Sequence, residues 1–285
     1  SSGSRTPKID QVHPGADDNA SGTAGLIELA QKLSSQKGRL KRSVLLIGFD
    51  AEEKGLLGSK YFTKNPVVDL DKIKTMINMD MIGRVKDSRF TVGGVGTSTI
   101  FNELLDSLSF DKPFKIVKSE PSYASSDHAS FYSNKIPILF FFSGFHDEYH
   151  TPEDTWKLIN LRGEKNILDF IYDIVFHLSR SEKPPVFTES GSKNSRTNVK
   201  LKVTLGIMPN YYSSAIGLEI DQITSSESPA FKAGFLEGDI ITAINGKSVA
   251  NIYDYMARLE KIDVGMTVPI EIDRNGEKLI LNTLF

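Results

Sequence analysis

The amino-acid sequence predicts an α/β domain followed by a small β-rich domain. Up to Arg180, segments with apolar residues at helical spacing alternate with short continuous apolar runs. This alternation predicts helices packed against a sheet. Residues 183–199 are rich in Pro, Ser, Asn and Lys and lack periodicity, which is typical of a linker. We therefore expect one domain over residues 1–182 and a second over residues 200–285.

The helices and strands of the first domain follow from these two patterns. A helical pattern over residues 23–37 predicts the first helix, and a second helix is predicted around residues 100–108. An amphipathic pattern that ends near Arg180 predicts the last helix. Continuous apolar runs predict buried strands at residues 43–49, 75–81 and 136–142.

Composition excludes several classes of partner and site. The 34 basic and 36 acidic residues nearly cancel, so no global charge favours nucleic acid or an anionic membrane surface. The chain has no cysteine, which excludes disulfides and thiolate zinc sites and leaves His, Asp and Glu as metal ligands. The most apolar run, residues 136–142, is far shorter than the roughly 20 residues of a membrane-spanning helix. No signal peptide is visible.

Acidic residues and a histidine follow the predicted strands of the first domain. Glu52 and Glu53 come after the run that ends at Phe49, Asp80 closes the next run, and His150 lies a few residues beyond the third. The carboxyl ends of strands in an open α/β sheet form the edge where ligands bind, so these side chains can converge. Gathered carboxylates repel each other, and a divalent cation would neutralise them. Carboxylates and imidazole suit zinc, with manganese or cobalt as substitutes.

Five short segments in this domain resemble the M28 family of zinc aminopeptidases, over nearly all of residues 13–160. They are GADDNASG at 15–22, the Glu-Glu pair followed by GLLGS at 55–59, NMDM at 78–81, Ser-Asp-His at 126–128, and YHTPEDT at 149–155. Any one of them alone would be weak evidence, but their joint order is specific. The resemblance implies a three-layer α/β/α zinc-exopeptidase fold with a mixed sheet.

The resemblance also implies roles for individual residues. Asp18 would bridge two zinc ions, Asp80 would complete one of them, and Glu53 with His150 would hold the other. Glu52 would be the general base for a bridging water, which would attack the first peptide bond of a peptide substrate. Residues that would support the ligands without binding metal are Asp127, His128 and Asp154. Similarity to exported bacterial enzymes implies a periplasmic or extracellular location.

The sequence departs from the family pattern upstream of the first motif. The family's first metal ligand is a His in a His-x-Asp turn, and residues 1–12 contain no histidine. We expect that this turn lies before Ser1 and that the chain is truncated. Such a chain would hold one zinc ion or none and would be a poor enzyme, whereas its full-length parent would hold two. His13 could be a substitute ligand, but its place beside Pro14 is more typical of a loop.

Simpler interpretations exist for the same residues. Asp17, Asp18 and Asn19 could cap the helix predicted from Thr23. The Glu52-Glu53 pair could be solvated loop acids. The spacing of His146 and His150 matches the zincin motif, but that motif needs a Glu directly after its first His and a continuous helix, and this sequence has Asp147 and Pro152 there.

The second domain resembles a PDZ domain of the bacterial protease-associated type. Alternating runs at residues 200–205 and 268–272 predict strands, and a helical pattern covers residues 251–259. The segments that carry the resemblance are LGIM at 205–208, SPA at 228–230, AGF at 233–235, GDII at 238–241 and ING at 244–246. PDZ domains bind a peptide C-terminus or extended strand at a sheet edge. By analogy, the peptide would lie along Leu205, Gly206, Ile207 and Met208.

Two other functions compete with the aminopeptidase. A glutaminyl cyclase-like enzyme would share the fold but use one zinc ion. A binding protein would recruit partners through the PDZ-like domain and carry an inert catalytic half. The Glu52-Glu53 pair and Asp18 favour the two-metal hydrolase.

Overall fold

A computed structural model describes most of the chain, and its backbone divides into two compact units over residues 1–191 and 192–285. The described residues are 11–36, 38–119, 126–190, 201–209, 216–250 and 252–285. Lys200, where we expect the second domain to begin, and residues 191–199 of the predicted linker lie outside them. Among the described residues, no helix has both the length and the apolar character that a membrane span requires.

The first unit alternates helices and strands along the chain. Its helices are α1 (Gly22–Ser34), α2 (Leu57–Lys64), α3 (Phe101–Ser109), α4 (His128–Tyr132) and α5 (Leu161–Arg180). Its strands are β1 (Met76–Met79), β2 (Arg89–Gly93), β3 (Lys115–Lys118) and β4 (Ile138–Phe142). The predicted helices correspond to α1, α3 and α5, and two of the three predicted strands correspond to β1 and β4.

The four strands form a mixed sheet in the order β1-β4-β2-β3. The pairs β1–β4 and β2–β3 are parallel, whereas β2 and β4 are antiparallel. Side chains alternate between the faces of a strand. On β4, Leu139 and Phe141 therefore pack with α1, α3 and α5 in one apolar cluster, whereas Ile138 and Phe140 pack with α2 and α4 in another. This arrangement is the three-layer α/β/α fold with a mixed sheet.

Helix α5 follows directly from its sequence. The Asn160 side chain accepts a hydrogen bond from the Gly163 N–H at 3.0 Å, which caps the first turn. Residues at helical spacing form its buried face, namely Ile167, Phe170, Ile171, Ile174 and Leu178. The Phe170 ring lies 6.2 Å from those of Phe90 and Phe141, so this face packs directly on the sheet.

The strand predicted at residues 43–49 does not form. Its backbone makes no hydrogen bond with the backbone of any described residue. Val44, Ile47 and Phe49 contact the two apolar clusters, whereas Leu45 and Leu46 are exposed. The apolar run therefore identified a segment that packs against the two apolar clusters. A strand also needs a hydrogen-bonded neighbour, and no described strand pairs with this segment.

The beginning of the predicted linker is attached to the first unit. Thr188 donates its backbone N–H to Thr97 O at 2.9 Å, and the Ser190 N–H donates to the Tyr132 hydroxyl at 3.1 Å. Phe187 packs with its ring centroid 5.3 Å from that of Tyr132. Residues 187–190 therefore belong to the first unit. The linker prediction included them because it rested on composition, which does not reveal such contacts.

The second unit is a small β-rich fold. Its strands are β5 (Ile207–Pro209), β6 (Leu218–Ile223), β7 (Ile240–Ile244), β8 (Lys247–Ser248), β9 (Thr267–Arg274) and β10 (Glu277–Leu284), and its helices are α6 (Pro229–Ala233) and α7 (Ile252–Leu259). The sheet runs β10-β9-β7-β6-β5, with β8 beside β7. The strand predicted at residues 200–205 is absent from the described part of that range, and the first strand begins instead at Ile207.

A separate apolar core fills the second unit. Buried residues from several of its strands and helices form one cluster, which includes Leu205, Phe235, Tyr255 and Ile270. We therefore expect residues 192–285 to fold without the rest of the chain.

We predict that residues 192–285, produced alone, unfold in urea in one cooperative transition. Ile270→Ala should lower the free energy of unfolding by about 2–5 kcal/mol, because Ile270 is fully buried on β9. Ile280→Ala on β10 is the matched control, because 63% of that side chain is exposed, and it should cost less than about 1 kcal/mol. A gradual transition, or equal effects of the two substitutions, would contradict the prediction.

Candidate metal centre

Three loops and the segment Ala16–Ser21, which contains Asp18, bring acidic residues and a histidine close together. Glu52 and Glu53 lie in a short 3-10 turn, Glu52–Lys54, that follows the extended segment ending at Phe49. Asp80 directly follows β1, and its N–H donates to Phe141 O at 3.2 Å. His150 lies in the loop after β4.

Asp18, Glu53 and His150 form a compact triad. His150 Nε2 lies 3.0 Å from Asp18 Oδ2 and 2.9 Å from Glu53 Oε1. One ligand atom from each residue lies within 4.8 Å of the other two. Zinc binds such ligands at about 2.0–2.2 Å in a tetrahedral arrangement, which places ligand atoms about 3.3–3.6 Å apart, so the separations of 3.0 and 2.9 Å from His150 Nε2 are close to those around one ion.

The surroundings of the triad shift the pKa values of His150 and Glu53. Burial lowers the pKa of His150, but the hydrogen bonds and negative charges of Asp18 and Glu53 outweigh it, and the net shift is upward. Burial raises the pKa of Glu53, and the charge of His150 opposes this only in part. The imidazole therefore contacts two carboxylates, and their negative charges favour its protonated form.

Asp80 lies beside the triad rather than within it. Its Oδ2 accepts a hydrogen bond from the Ser126 hydroxyl at 2.7 Å, and Asn78 Nδ2 donates to the same hydroxyl at 2.8 Å. Burial is the main cause that raises the pKa of Asp80 to about 7, although the Ser126 hydrogen bond opposes it. The nearby charge of Asp18 adds to the rise. The Asp80 carboxylate thus accepts a hydrogen bond from a neutral hydroxyl, and its oxygens can still bind a further ligand.

Glu52 has the environment of a proton-transfer group. Burial, followed by the charges of Asp80 and Glu53, raises its pKa to about 8. A carboxyl group whose pKa lies near neutrality can both accept and release a proton at working pH. Glu52 contributes no ligand atom to the triad.

Asp154 fixes the backbone that carries Asp18. The buried Asp154 carboxylate accepts hydrogen bonds from the Asp17 N–H at 3.0 and 3.1 Å and from the Asp18 N–H at 3.1 Å. The Ala16 N–H donates to the Asp154 carbonyl at 3.1 Å. The peptide bond between Asp18 and Asn19 is cis. Asp154 therefore positions a ligand candidate through main-chain contacts and does not join the triad itself.

The charge of Asp127 acts on Asp80, and His128 contacts Asn78 of β1. His128 is fully buried, which lowers its pKa to about 3, so its ring is neutral. That ring stacks on Phe140 with centroids 4.5 Å apart and lies 3.2 Å from Asn78 Nδ2. Burial raises the pKa of Asp127, and a hydrogen bond with Ser59 opposes the rise. Neither residue contributes an atom to the triad.

The simpler interpretations fit only part of the observed geometry. Asn19 Oδ1 accepts the Gly22 N–H at 3.0 Å, so the helix-cap interpretation describes Asn19. Asp17 instead points inward, where its Oδ1 accepts the Gly83 N–H at 2.6 Å. His13 contacts the Gln11 carbonyl at 3.1 Å and is not a member of the triad.

Tyr149 is a site residue that sequence reasoning missed. Its ring stacks on that of His150 with centroids 3.8 Å apart. Burial raises its pKa, and the charges of Asp18 and Glu53 add to that rise, so the phenol remains protonated beside the acidic cluster. Its place directly before His150 in YHTPEDT was the available signal.

The peptide-binding edge predicted in the second unit has a defined backbone. Strand β5 lies at one end of its sheet, which leaves one of its edges without a partner strand among the described residues. Gly206, just before β5, has a φ of +78°, and a Cβ there would lie 2.3 Å from Ser228 Cβ, so glycine is required. Leu205 is fully buried, and the Met208 side chain lies outside what is described. The whole of Leu205 is buried, and its carbonyl accepts the Ala230 N–H at 2.9 Å, so Leu205 presents no exposed group to a peptide.

Comparison with known proteins identifies both units. The model of peptidase family M28 matches residues 5–175, and the model of the PDZ domain matches residues 195–284. Aminopeptidase YwaD of Bacillus subtilis (strain 168) is 30% identical over 186 residues, which cover 60% of this chain and 39% of that protein. A probable leucine aminopeptidase of Trichophyton verrucosum (strain HKI 0517) is 31% identical over 153 residues, which cover 50% of this chain and 40% of that protein.

Solved structures agree with these matches. BSAP, a zinc aminopeptidase from Bacillus subtilis, superposes with a TM-score of 0.52 and 26% identity over 63% of this chain and 47% of that one. The LapA aminopeptidase of Legionella pneumophila gives a TM-score of 0.53 and 26% identity over 61% of this chain and 49% of that one. The chain spans about 40% of the length of the two curated relatives named above.

We predict that Glu52→Gln stabilises the metal-free chain at high pH. Below the ordinary pKa of 4.5, Glu52 is protonated in both the folded and unfolded states, so the substitution should have little effect. As pH rises toward about 8, only the unfolded state loses the proton, and wild-type stability falls relative to the variant. Because Glu52 is partly exposed, we expect a difference on the order of 1–2 kcal/mol.

Urea denaturation in EDTA at pH 4.5 and pH 8.5 measures this difference. Glu103→Gln is the control, because Glu103 is an exposed carboxyl group on α3. Equal stability of wild type and Glu52→Gln at pH 8.5 would show that the cluster does not hold Glu52 protonated.

Proposed function

The chain belongs to peptidase family M28, and on that premise we propose that the whole protein is a metal-dependent aminopeptidase. The convergence of Asp18, Glu53 and His150 carries this proposal, because three residues far apart in sequence present ligand atoms to one point. Relatives and structural neighbours named as aminopeptidases support the same activity.

Zinc fits the chemistry of the donor set. Two carboxylates and an imidazole, without thiolate, form a three-ligand set that leaves one tetrahedral position for water or substrate. When bound, zinc would polarise the scissile carbonyl and lower the pKa of a bound water. Asp18, Glu53 and His150 would hold that ion. Asp18 has a second carboxylate oxygen, so in the two-ion arrangement it would share a further ion with Asp80.

Glu52 would move the proton in this reaction. It would accept a proton from the attacking water and deliver it to the leaving amine as the C–N bond breaks. Its raised pKa in the absence of a cation supports this role, and a nearby cation would favour the ionised form that can act as a base. The protonated Tyr149 phenol could donate a hydrogen bond to negative charge that develops on the carbonyl oxygen.

The acidic cluster also suggests how the substrate is selected. A free α-amino group carries a positive charge, which the partly buried carboxylates of Glu52 and Glu53 would attract. A peptide with such an amine would bind by its N-terminus. In the second unit, the open edge of β5 would accept a peptide C-terminus or extended strand by strand addition. Export to the periplasm or the extracellular space remains part of this proposal.

A single-zinc, glutaminyl cyclase-like activity is the second candidate. The observation that favours it is that the triad alone forms a three-ligand set among the described residues. Two assays distinguish these activities: one measures hydrolysis of aminoacyl arylamides, and the other measures cyclisation of glutaminyl peptides. Absence of both activities in the full-length protein would support a binding role instead.

We predict that Glu52→Gln in the full-length protein lowers kcat by roughly two to four orders of magnitude, which is the usual contribution of a general base. Zinc content should remain at the wild-type level, because Glu52 is not a member of the triad. Arylamide hydrolysis and metal analysis measure the two quantities, and Glu103→Gln is the control. Wild-type turnover in Glu52→Gln would remove Glu52 from the mechanism.

We also predict that the 285-residue chain binds no more than one zinc ion tightly. Glu53→Gln and His150→Gln should each weaken binding by at least about tenfold, because each removes one of three ligands. Titration against a chromophoric chelator gives the affinity, and exposed His177→Gln on α5 is the control. Two tightly held ions would show that another residue, such as His13, completes a second site.

A further inference from the structure

A buried charged network lies behind the metal centre and involves none of the triad side chains. Asp17, next to Asp18, has a side chain that is 0% exposed, and its Oδ2 lies 3.3 Å from Nε2 of His146, whose side chain is 1% exposed. Neither atom has a hydrogen-bond partner among the described residues, so two unsatisfied buried groups meet at ion-pair distance. A buried carboxylate is costly unless a partner compensates it, and His146 supplies that compensation.

The other carboxylate oxygen of Asp17 forms a hydrogen bond with a second loop, the one that follows Asp80. Asp17 Oδ1 accepts the Gly83 N–H at 2.6 Å, three residues after Asp80. A Cβ on residue 83 would lie 2.9 Å from that oxygen and 2.8 Å from Ile159 Cδ1, so glycine permits this close approach. One side chain therefore joins the Asp18 loop to the loop that follows Asp80.

His146 extends the network to a third loop. Its Nδ1 lies 3.4 Å from Arg84 Nη1 and 3.2 Å from Glu148 Oε2, and Arg84 Nη2 donates to the same Glu148 oxygen at 2.7 Å. With its ring proton on Nε2, His146 can accept from Arg84 and donate toward Asp17. His146 and Glu148 precede His150, so the network reaches the loop that carries the imidazole ligand candidate.

Direct hydrogen bonds close the connection between the second and third loops. The Arg84 N–H donates to the Ser143 hydroxyl at 3.0 Å, and that hydroxyl donates to Met81 O at 2.6 Å. Three loops are thus tied around Asp17 and His146, and each loop carries one proposed ligand. Those ligands are Asp18, Asp80 and His150.

We propose that the Asp17–His146 pair is a positioning element that holds these three loops at the spacing a metal ion requires. The inference rests on the proposed function for its metal, although the loop geometry is a property of the chain itself. Metal sites need ligand positions correct to within about 0.2 Å, whereas loops tied only by surface contacts vary more. A buried pair that cannot exchange its partners for water fixes the loops more tightly.

Substitutions at His146 separate a positioning role from simple stability. His146→Leu leaves the Asp17 charge buried without a partner, and we expect zinc affinity to fall by about 10–100-fold, as is usual for residues that support metal ligands. His146→Gln keeps a side-chain donor and should remain within about threefold of wild type. In the Asp17→Asn background, His146→Leu should have a much smaller effect, because no buried charge is left unpaired.

Two control variants test whether the loss of any carboxylate or histidine in the first unit lowers zinc affinity. Asp173→Asn removes a carboxylate that pairs with Lys112 elsewhere in the first unit. His177→Gln removes an exposed histidine of α5. Neither residue contacts the three loops in any described interaction, so both variants should bind zinc as wild type does.

Amide hydrogen exchange of the metal-free chain gives a readout that does not need zinc. The Gly83 N–H donates to Asp17 and the Asp18 N–H donates to Asp154, so both amides report on the loops. In His146→Leu we expect their exchange to accelerate by tenfold or more, with the buried Ile171 amide of α5 unchanged. Equal acceleration at all three amides, or at none, would overturn the proposal.

The two measurements also separate this proposal from the proposed function. If Glu53→Gln binds zinc as wild type does, the metal assignment fails, yet selective exchange at Gly83 and Asp18 still supports positioning. Wild-type zinc affinity in His146→Leu, with folding intact, would overturn positioning while leaving the metal assignment in place. If His146→Leu does not fold, Asp17→Ala takes its place in the exchange measurement, because it removes the oxygen that accepts the Gly83 N–H, and the same selective acceleration is expected.

Discussion

Mutual repulsion among partly buried carboxylates is the constraint on which the first unit depends. Burial and the charge of Asp18 raise the pKa values of Glu52, Glu53 and Asp80. The charge of Glu53 adds to the rise at the other two, and His150 contacts Asp18 and Glu53. Such a cluster opposes folding unless a cation or protons neutralise it. The surrounding hydrogen bonds therefore have to hold the loops in place against this repulsion.

The sheet provides the frame for that arrangement. Strands β1 and β4 are parallel neighbours, so Asp80 after β1 and His150 in the loop after β4 are delivered to the same end of the sheet. Helices on both faces bury the strands, so the strand ends are rigid while the loops beyond them remain at the surface. A rigid frame with charged loops at one end is an arrangement that many α/β enzymes share.

Local sequence predicted more of this molecule than long-range pairing did. Periodicity located α1, α3, α5, β1 and β4, because each depends on the spacing of its own apolar residues. It was wrong about a strand at residues 43–49, because strand formation depends on a neighbour that periodicity cannot reveal. The triad followed from motif order, whereas the contacts of Asp17 with Gly83 and His146 join residues far apart in sequence without any shared motif. Distances within the cluster were likewise beyond prediction, because they depend on loop conformation.

The hydrogen bonds divide the acidic residues of the first unit into two groups. Both oxygens of Asp154 and Oδ1 of Asp17 accept main-chain N–H groups, whereas Oδ2 of Asp17 faces His146. The Asp18 and Glu53 side chains instead contact the His150 imidazole, at a point where a metal ion could take the place of a proton. Neutral donors fix the supporting carboxylates without adding positive charge that would compete with a cation. The chain thus uses its main-chain dipoles for position and leaves its uncompensated negative charge at the point where a metal ion would bind.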